Sequence, residues 1–351
     1  MPARSVLVIG GTGEISAACC RRAVALGMDV AVLNRGRTAL RPLPDDVRVL
    51  QADVRDASAV TAAIGGQEFD VVVNFLAFTP DHVRADVDRF AGRVGQYVFI
   101  SSASAYQKPV ARLPITESTP LRNPVWPYSQ AKIRCEELLT EAYRTHAFPV
   151  TIVRPSHTYD RTQVPVDAGW TVIDRMRRGK PVVVHGDGTS LWTLTHADDF
   201  AVGFAGLLGN PRAIGEAVHI TSDDVLTWNQ IHELLADAAG AEARLVHVTS
   251  ETILAGDEEW GRALLGDKAH SVVFDNAKVR SLVPDFRPRI PFFEAAREIV
   301  GWYDADPARQ RVSERFDTLM DRLAEAAGGR AVPAAPRIAT QHRPSQGDAG
   351  T

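Results

Sequence analysis

Cysteine is scarce: Cys19, Cys20 and Cys135 are the three in 351 residues, and their spacing fits neither a disulfide framework nor a C-x-x-C metal site. Reduced, buried thiols are the expectation. Long apolar runs are lacking too. Nothing approaches the ~20 residues of a membrane-crossing helix, and Val6-Leu7-Val8-Ile9 is too short for the core of a signal peptide and runs straight into glycine. The expectation is a soluble, cytoplasmic chain with no membrane partner. A strong charge of one sign is also missing. With a formal net charge of -4 and a pI near 6.2, no general field draws the chain to nucleic acid. What remains is ordinary globular composition, 45% hydrophobic and 23% charged, enough for one large domain or two joined ones.

The first half alternates short β-branched runs with helix-like segments. Ser5 to Ile9, Asp29 to Leu33, Val47 to Gln51, Phe69 to Val73, Tyr97 to Ile100 and Val150 to Val153 read as strands. Ser16 to Leu26, Ala57 to Ile64, Asp81 to Val94 and Tyr128 to Tyr143 read as the helices between them. Continuous apolar strands imply cover on both faces, hence a doubly wound parallel α/β sheet of the Rossmann type. Residues 1–160 are assigned to this dinucleotide-binding domain, with 196–221 a candidate to return to it. Residues 161–327 form a smaller, mixed α/β lobe for substrate. From 328 to 351 the chain is Ala, Gly, Pro and polar residues, too poor in large apolar side chains to bury a face, and reads as a disordered tail.

Gly10-Gly11-Thr12-Gly13 stands between the first strand and a small-residue helix, where bare backbone can approach a pyrophosphate. Ser16 replaces the usual third glycine, which predicts slightly looser helix packing, and Glu14 stands where an apolar residue is common. After the second strand come Asn34, Arg35 and Arg37, with no carboxylate for ribose hydroxyls. A 2′-phosphate is then not repelled, and the arginines could pair with it, favouring NADP over NAD. They could also be solvated loop charges. Asp53 is placed to contact the adenine amino group or to cap a turn.

Tyr128 and Lys132 lie one helical turn apart on a shared face. A phenol with a pKa of about 10 needs a nearby positive charge to ionise at neutral pH, and Lys132 could supply it. His157 and Tyr159 follow a strand end, where α/β sheets bind ligands. His196-Ala197-Asp198-Asp199 matches no metal spacing; Asp198 reads as a helix N-cap and no metal is expected. Trp170, Trp228 and Trp260 read as core or lobe-interface residues.

Taken in order, Gly10-Gly11-Thr12-Gly13, Ala52-Asp53, Ile100-Ser101-Ser102, Glu117, Pro120, Tyr128-Ser129-Gln130-Ala131-Lys132 and Arg154-Pro155 resemble the short-chain dehydrogenase/reductase superfamily. The extended, NAD-dependent epimerase/dehydratase branch is the nearest likeness, over residues 4–305. The resemblance implies that Tyr128 is the catalytic acid/base, that Lys132 binds the nicotinamide ribose and lowers the Tyr128 pKa, and that Ser102 orients the substrate. Together with the residue reading it places the cofactor against Gly10, Thr12, Gly13, Glu14, Ile15, Asn34, Arg35, Arg37, Asp53, Val54, Ala77, Ser101, Tyr128, Lys132, Pro155 and His157. Substrate is placed against Ser102, Ser104, Tyr128, His157 and Trp192.

Two departures narrow the chemistry that the resemblance implies. Dehydratases of this branch carry acidic residues after the Ser, whereas this chain has Ala103 and Ser104, so an epimerase or reductase is favoured. An acid or base from elsewhere, such as His157 or Glu117, would restore the dehydratase alternative. Nucleotide-sugar members usually carry an Arg-Asp pair where this chain has Trp192 and Thr193, and an indole cannot neutralise a diphosphate. The expected substrate is a small sugar-like carbinol or ketone: a nucleoside, a sugar derivative or a nucleotide sugar. A homodimer is implied through the Tyr128 helix. Likeness of the stretch Asp88 to Tyr106 to RNA-binding chloroplast members leaves a non-catalytic alternative, against which the acidic net charge stands.

Overall fold

The computed structural model describes residues 4–37 and 40–328; the expected tail lies, beyond Gly328, outside the described residues. Strand β1 (Ser5–Ile9) sends Val6 and Val8 into one apolar cluster and Leu7 and Ile9 into another, all buried. A strand apolar on both sides needs helices above and below, which parallel crossovers supply. They are α1 (Glu14–Ala25), β2 (Asp29–Asn34), β3 (Arg48–Gln51), α2 (Ala57–Ile64), β4 (Val71–Asn74), α3 (Pro80–Phe90), β5 (Gln96–Ile100), α4 (Pro127–His146) and β6 (Val150–Pro155).

The chain continues through β7 (His157–Tyr159), α5 (Trp170–Arg177), β8 (Val182–His185), β9 (Leu191–Trp192), β10 (Leu194–His196), α6 (Ala197–Leu207), β11 (Ala217–Ile220), β12 (Leu226–Thr227), α7 (Trp228–Ala239) and β13 (Leu245–Val248). Helices α8 (Ser250–Gly256), α9 (Glu258–Ala263), a π-helical turn (Leu264–Lys268), α10 (Ala277–Leu282), α11 (Phe292–Asp304) and α12 (Glu314–Ala326) complete it.

Seven strands form one parallel sheet in the order β11-β6-β5-β4-β1-β2-β3. This is the doubly wound sheet predicted from the strand pattern. The chain winds outward from β1 to β3, then returns to β4 on the other side of β1. That reversal opens a crevice at the carboxyl ends of the strands. The later residues add three two-stranded pieces, β7 with β10, β9 with β12 and β8 with β13, around a third apolar cluster. Strands of two or three residues carry no readable periodicity, which is why the sequence pattern omits β7, β9, β10 and β12.

Two local expectations are corrected. Ser16 does not loosen the turn: it is buried, and its Oγ accepts the Gly13 N–H at 2.8 Å, so a hydroxyl does the work of close backbone packing. Asp198 is not the N-cap of α6. His196 is, with Nδ1 accepting the Asp198 N–H at 3.2 Å, while Asp198 pairs with Arg21 at 3.0 Å.

Three elements around the crevice are joined by a buried ion pair. Arg154, on β6, meets Glu136, on α4, through Nη2–Oε2 at 2.6 Å and Nε–Oε1 at 3.0 Å, and the Ser101 hydroxyl after β5 donates to the same carboxylate. Both charges are at most 5% exposed. Glu136→Ala strands the guanidinium without its partner and is expected to cost about 3–5 kcal/mol. Chemical denaturation checks it; an unchanged midpoint contradicts it.

Candidate active site

The glycine turn after β1 is shaped by contact. Gly10 has φ +87°, and a Cβ there would stand 2.6 Å from Leu76 Cγ. Only glycine tolerates both demands. The turn overlooks a cavity of about 810 Å³, lined by Gly10, Thr12, Gly13, Glu14 and Ile15 at the start of α1, and by Asn34, Arg35 and Arg37 after β2. Asp53, Val54, Ser101, Ser102, Tyr128, Lys132 and Pro155 complete that wall. Backbone N–H groups at a helix start, beside an arginine rim, fit a dinucleotide diphosphate.

At the rim, Asn34 Oδ1 accepts the Gly36 N–H at 2.8 Å and so shapes the turn. Asp53 accepts the Arg55 N–H at 3.0 Å, the turn-capping alternative, and stands 4.0 Å from Arg35. Two expected cofactor contacts lie elsewhere. Ala77 is fully buried and offers its carbonyl to Lys132 instead of its side chain to the cavity. His157 lines the neighbouring cavity.

That second cavity, about 350 Å³, shares Glu14, Ser102, Tyr128, Pro155, Ser156 and Thr158 with the first. Ser102 and Tyr128 therefore stand at the junction. A hydroxyl chain leads inward: Ser102 Oγ lies 2.8 Å from Ser104 Oγ, to which Ser129 Oγ donates at 2.7 Å. Lys132, one turn after Tyr128 on α4, is 1% exposed and donates to the carbonyls of Ala77 and Ile100 at 2.8 and 2.7 Å.

The electrostatics depart from the expected picture. Burial raises the Tyr128 phenol above its ordinary value; the Ser102 hydroxyl opposes that and the Asp267 charge adds to it. Burial also lowers the Lys132 ammonium to about 8. With Lys132 Nζ 5.9 Å from the Tyr128 ring centre and turned to two carbonyls, it is not what sets Tyr128 here. The phenol rests protonated.

The wall of the smaller cavity is only partly the one expected for substrate. Trp192 lines the smaller cavity at 3% exposure, but its Nε1–H donates to His157 Nδ1 at 3.0 Å, so its donor is spent, and its ring packs against Trp228. Burial pushes His157 down to about 3, which leaves no proton for general-acid work near neutrality. Glu117 is absent from both linings. Its carboxylate accepts the His219 N–H at 3.1 Å on β11. Residues the sequence reading missed are Trp126, Thr158, Gln163, Asp267 and Lys268. Thr158 was recoverable from its place beside His157 on a strand. Asp267 and Lys268 come from the π-helical turn, which has no sequence periodicity to betray it.

Fold and crevice together define an α/β protein built around a nucleotide turn, with a Ser, a Tyr and a Lys at the junction of two cavities. The chain belongs to the NAD dependent epimerase/dehydratase family, whose model matches residues 6–91 and 89–221. It is similar to the 2'-dehydrokanamycin reductase of Streptomyces kanamyceticus, 28% identical over 289 residues, which are 81% of this chain and 80% of that protein. It is also similar to a UDP-glucose 4-epimerase of Lactobacillus helveticus, 32% identical over 42% of this chain and 50% of that one. Among solved structures, an epimerase of Methanothermobacter thermautotrophicus has the same fold, with a TM-score of 0.72 at 16% identity, over 88% of this chain and 95% of that one.

His157 gives a pH prediction. Its folded pKa lies below the unfolded value of about 6.5, so its contribution to stability is present above that pH and is lost as pH falls toward about 3. His157→Gln should flatten this part of the stability profile in denaturation measured across acidic pH. An identical slope in the variant contradicts the assignment.

Proposed function

We propose that this chain reduces a keto carbon, or oxidises the matching carbinol, in a sugar-like substrate without a diphosphate, using NADP(H). The observation that carries the reading is the placing of Ser102 and Tyr128 together in the wall common to both cavities. The bound nicotinamide supplies or accepts hydride. Tyr128 delivers a proton to the carbonyl oxygen as it becomes a hydroxyl, for which a phenol resting in its neutral form is suited. Ser102 donates a hydrogen bond to that oxygen and holds the carbonyl toward Tyr128. Lys132, near 8, is poised to hydrogen-bond ribose hydroxyls and to exchange protons at working pH.

Charge supports the substrate class. No arginine lines the smaller cavity, and its lysine, Lys268, is tied to Asp167. A diphosphate would enter without a free cation to receive it. The dehydratase alternative lacks acidic residues at Ala103 and Ser104. An epimerase would use the same Ser, Tyr and Lys, but would return its cofactor unconsumed after each turnover. A homodimer working in the cytoplasm belongs to the same reading, and sedimentation tests the dimer.

Tyr128→Phe should lower kcat by about 10²–10⁴-fold while reduced dinucleotide still binds; full turnover in the variant contradicts the mechanism. Arg35→Ala should weaken NADPH by about 10–100-fold, the worth of charged hydrogen bonds, and leave NADH nearly unchanged. Tighter NADH than NADPH in the unaltered protein contradicts the cofactor assignment. Net consumption of NADPH, followed by the reduced-nicotinamide absorbance, separates reductase from epimerase.

A further inference from the structure

Glu14 is the first residue of α1, yet its side chain belongs as much to the substrate side as to the nucleotide side, since it lines both cavities. It shares both linings with Thr158 on β7, whose hydroxyl favours its ionised form. Arg41, the arginine that acts on it, is committed to Asp160 and Thr162. The other charged groups of the smaller cavity have partners: Lys108 Nζ stands 2.9 Å from Asp267, and Lys268 pairs with Asp167. Among the described residues lining that cavity, Glu14 is the charge without an ion-pair partner.

A lone carboxylate beside a diphosphate site is a liability unless something positive joins it. Burial pushes Glu14 up to about 7; the Thr158 hydroxyl opposes the rise, Asp160 adds to it and Arg41 opposes it. An incoming cation would hold it ionised and recover the attraction that burial has left unused. A neighbouring hollow carries the same sign. A hollow beside Trp126 and Tyr128 is lined by Asp257, Glu258 and Glu259, with Arg262 and Arg315 engaged to those acids. Trp126 lines both that hollow and the smaller cavity, and its aromatic ring is a surface that accommodates sugars and cations alike.

We propose that Glu14 is the recognition point for a protonated amine, so that the carbinol or ketone taken by this site is an amine-bearing sugar or cyclitol. The assignment rests on the reductase reading above for the reaction, and on the cavity for the charge.

The test is calorimetric titration of the NADP-loaded protein with glucosamine and kanamycin, each against its N-acetylated form. At about pH 8 the free amines should bind about 10–100-fold tighter. The advantage should shrink at about pH 6, where the carboxyl is protonated. It should fall to near parity in Glu14→Gln and persist in part in Glu14→Asp. If Glu14→Gln fails to load NADP, the pH dependence of the unaltered protein decides. Equal binding of free and acetylated forms, no binding by either amine, or an advantage that survives Glu14→Gln overturns the assignment. Reduction of keto compounds is read separately. A protein that reduces neutral ketones alone keeps the reductase reading and loses this one; a protein that binds amines through Glu14 but consumes no NADPH loses the reductase reading alone.

Discussion

Lys132 holds an ammonium almost out of reach of water, between two backbone carbonyls and over the faces of Phe78 and Phe99, each 4.8 Å away. Taking such a charge from water costs several kcal/mol, and the carbonyls of Ala77 and Ile100 offset part of that cost. One belongs to the loop after β4, the other ends β5, so the bonds tie α4 to the carboxyl edge of the sheet. The β4 loop is itself held from below: Asn74 Oδ1 accepts the Leu76 N–H at 2.6 Å, and Asn74 and Tyr97 both donate to the buried Asp86. Tyr128, one turn before Lys132, is aimed at the crevice because this anchor sets the height and rotation of its helix. Ser102 follows from the same edge, two residues beyond Ile100.

Around this anchor, deep charges are matched in pairs. Arg154 with Glu136 joins β6, α4 and the Ser101 turn, and Lys268 with Asp167 supports the floor beneath His157 and Trp192. Such pairs add little net stability over an apolar replacement, but losing one member is costly, so they hold geometry in place. The proposed function draws on the groups whose pairing is incomplete: a neutral phenol, a lysine of lowered basicity, and a carboxyl near 7.

Much of this was legible in the sequence because it is local. The glycine turn announces itself by following an apolar strand, and Tyr128 and Lys132 share a face because a helix repeats every 3.6 residues. The sheet was legible because β1, β4 and β5 carry unbroken apolar runs, Val6 to Ile9, Val71 to Val73 and Tyr97 to Ile100. Other features needed the third dimension. That Lys132 would face Ala77 and Ile100 rather than control Tyr128 depends on how α4 docks. That Glu117 would serve β11, and His157 the indole of Trp192, depends on chain segments far along the sequence. Asp267 reaches the smaller cavity from a π-helical turn, where backbone geometry, not residue pattern, brings it in. Glu14 was legible as an oddity of the nucleotide turn, but its place beside Thr158 on β7 was not.

The most direct test of this account is a crystal structure of the protein with NADP bound. It should place the diphosphate on the Gly10 to Ile15 turn, the 2′-phosphate against Arg35, and the nicotinamide ribose within hydrogen-bonding reach of Lys132, with Tyr128 and Ser102 open to the smaller cavity. A dinucleotide seated elsewhere, or a Lys132 still bonded to both carbonyls with no contact to the ribose, would contradict it.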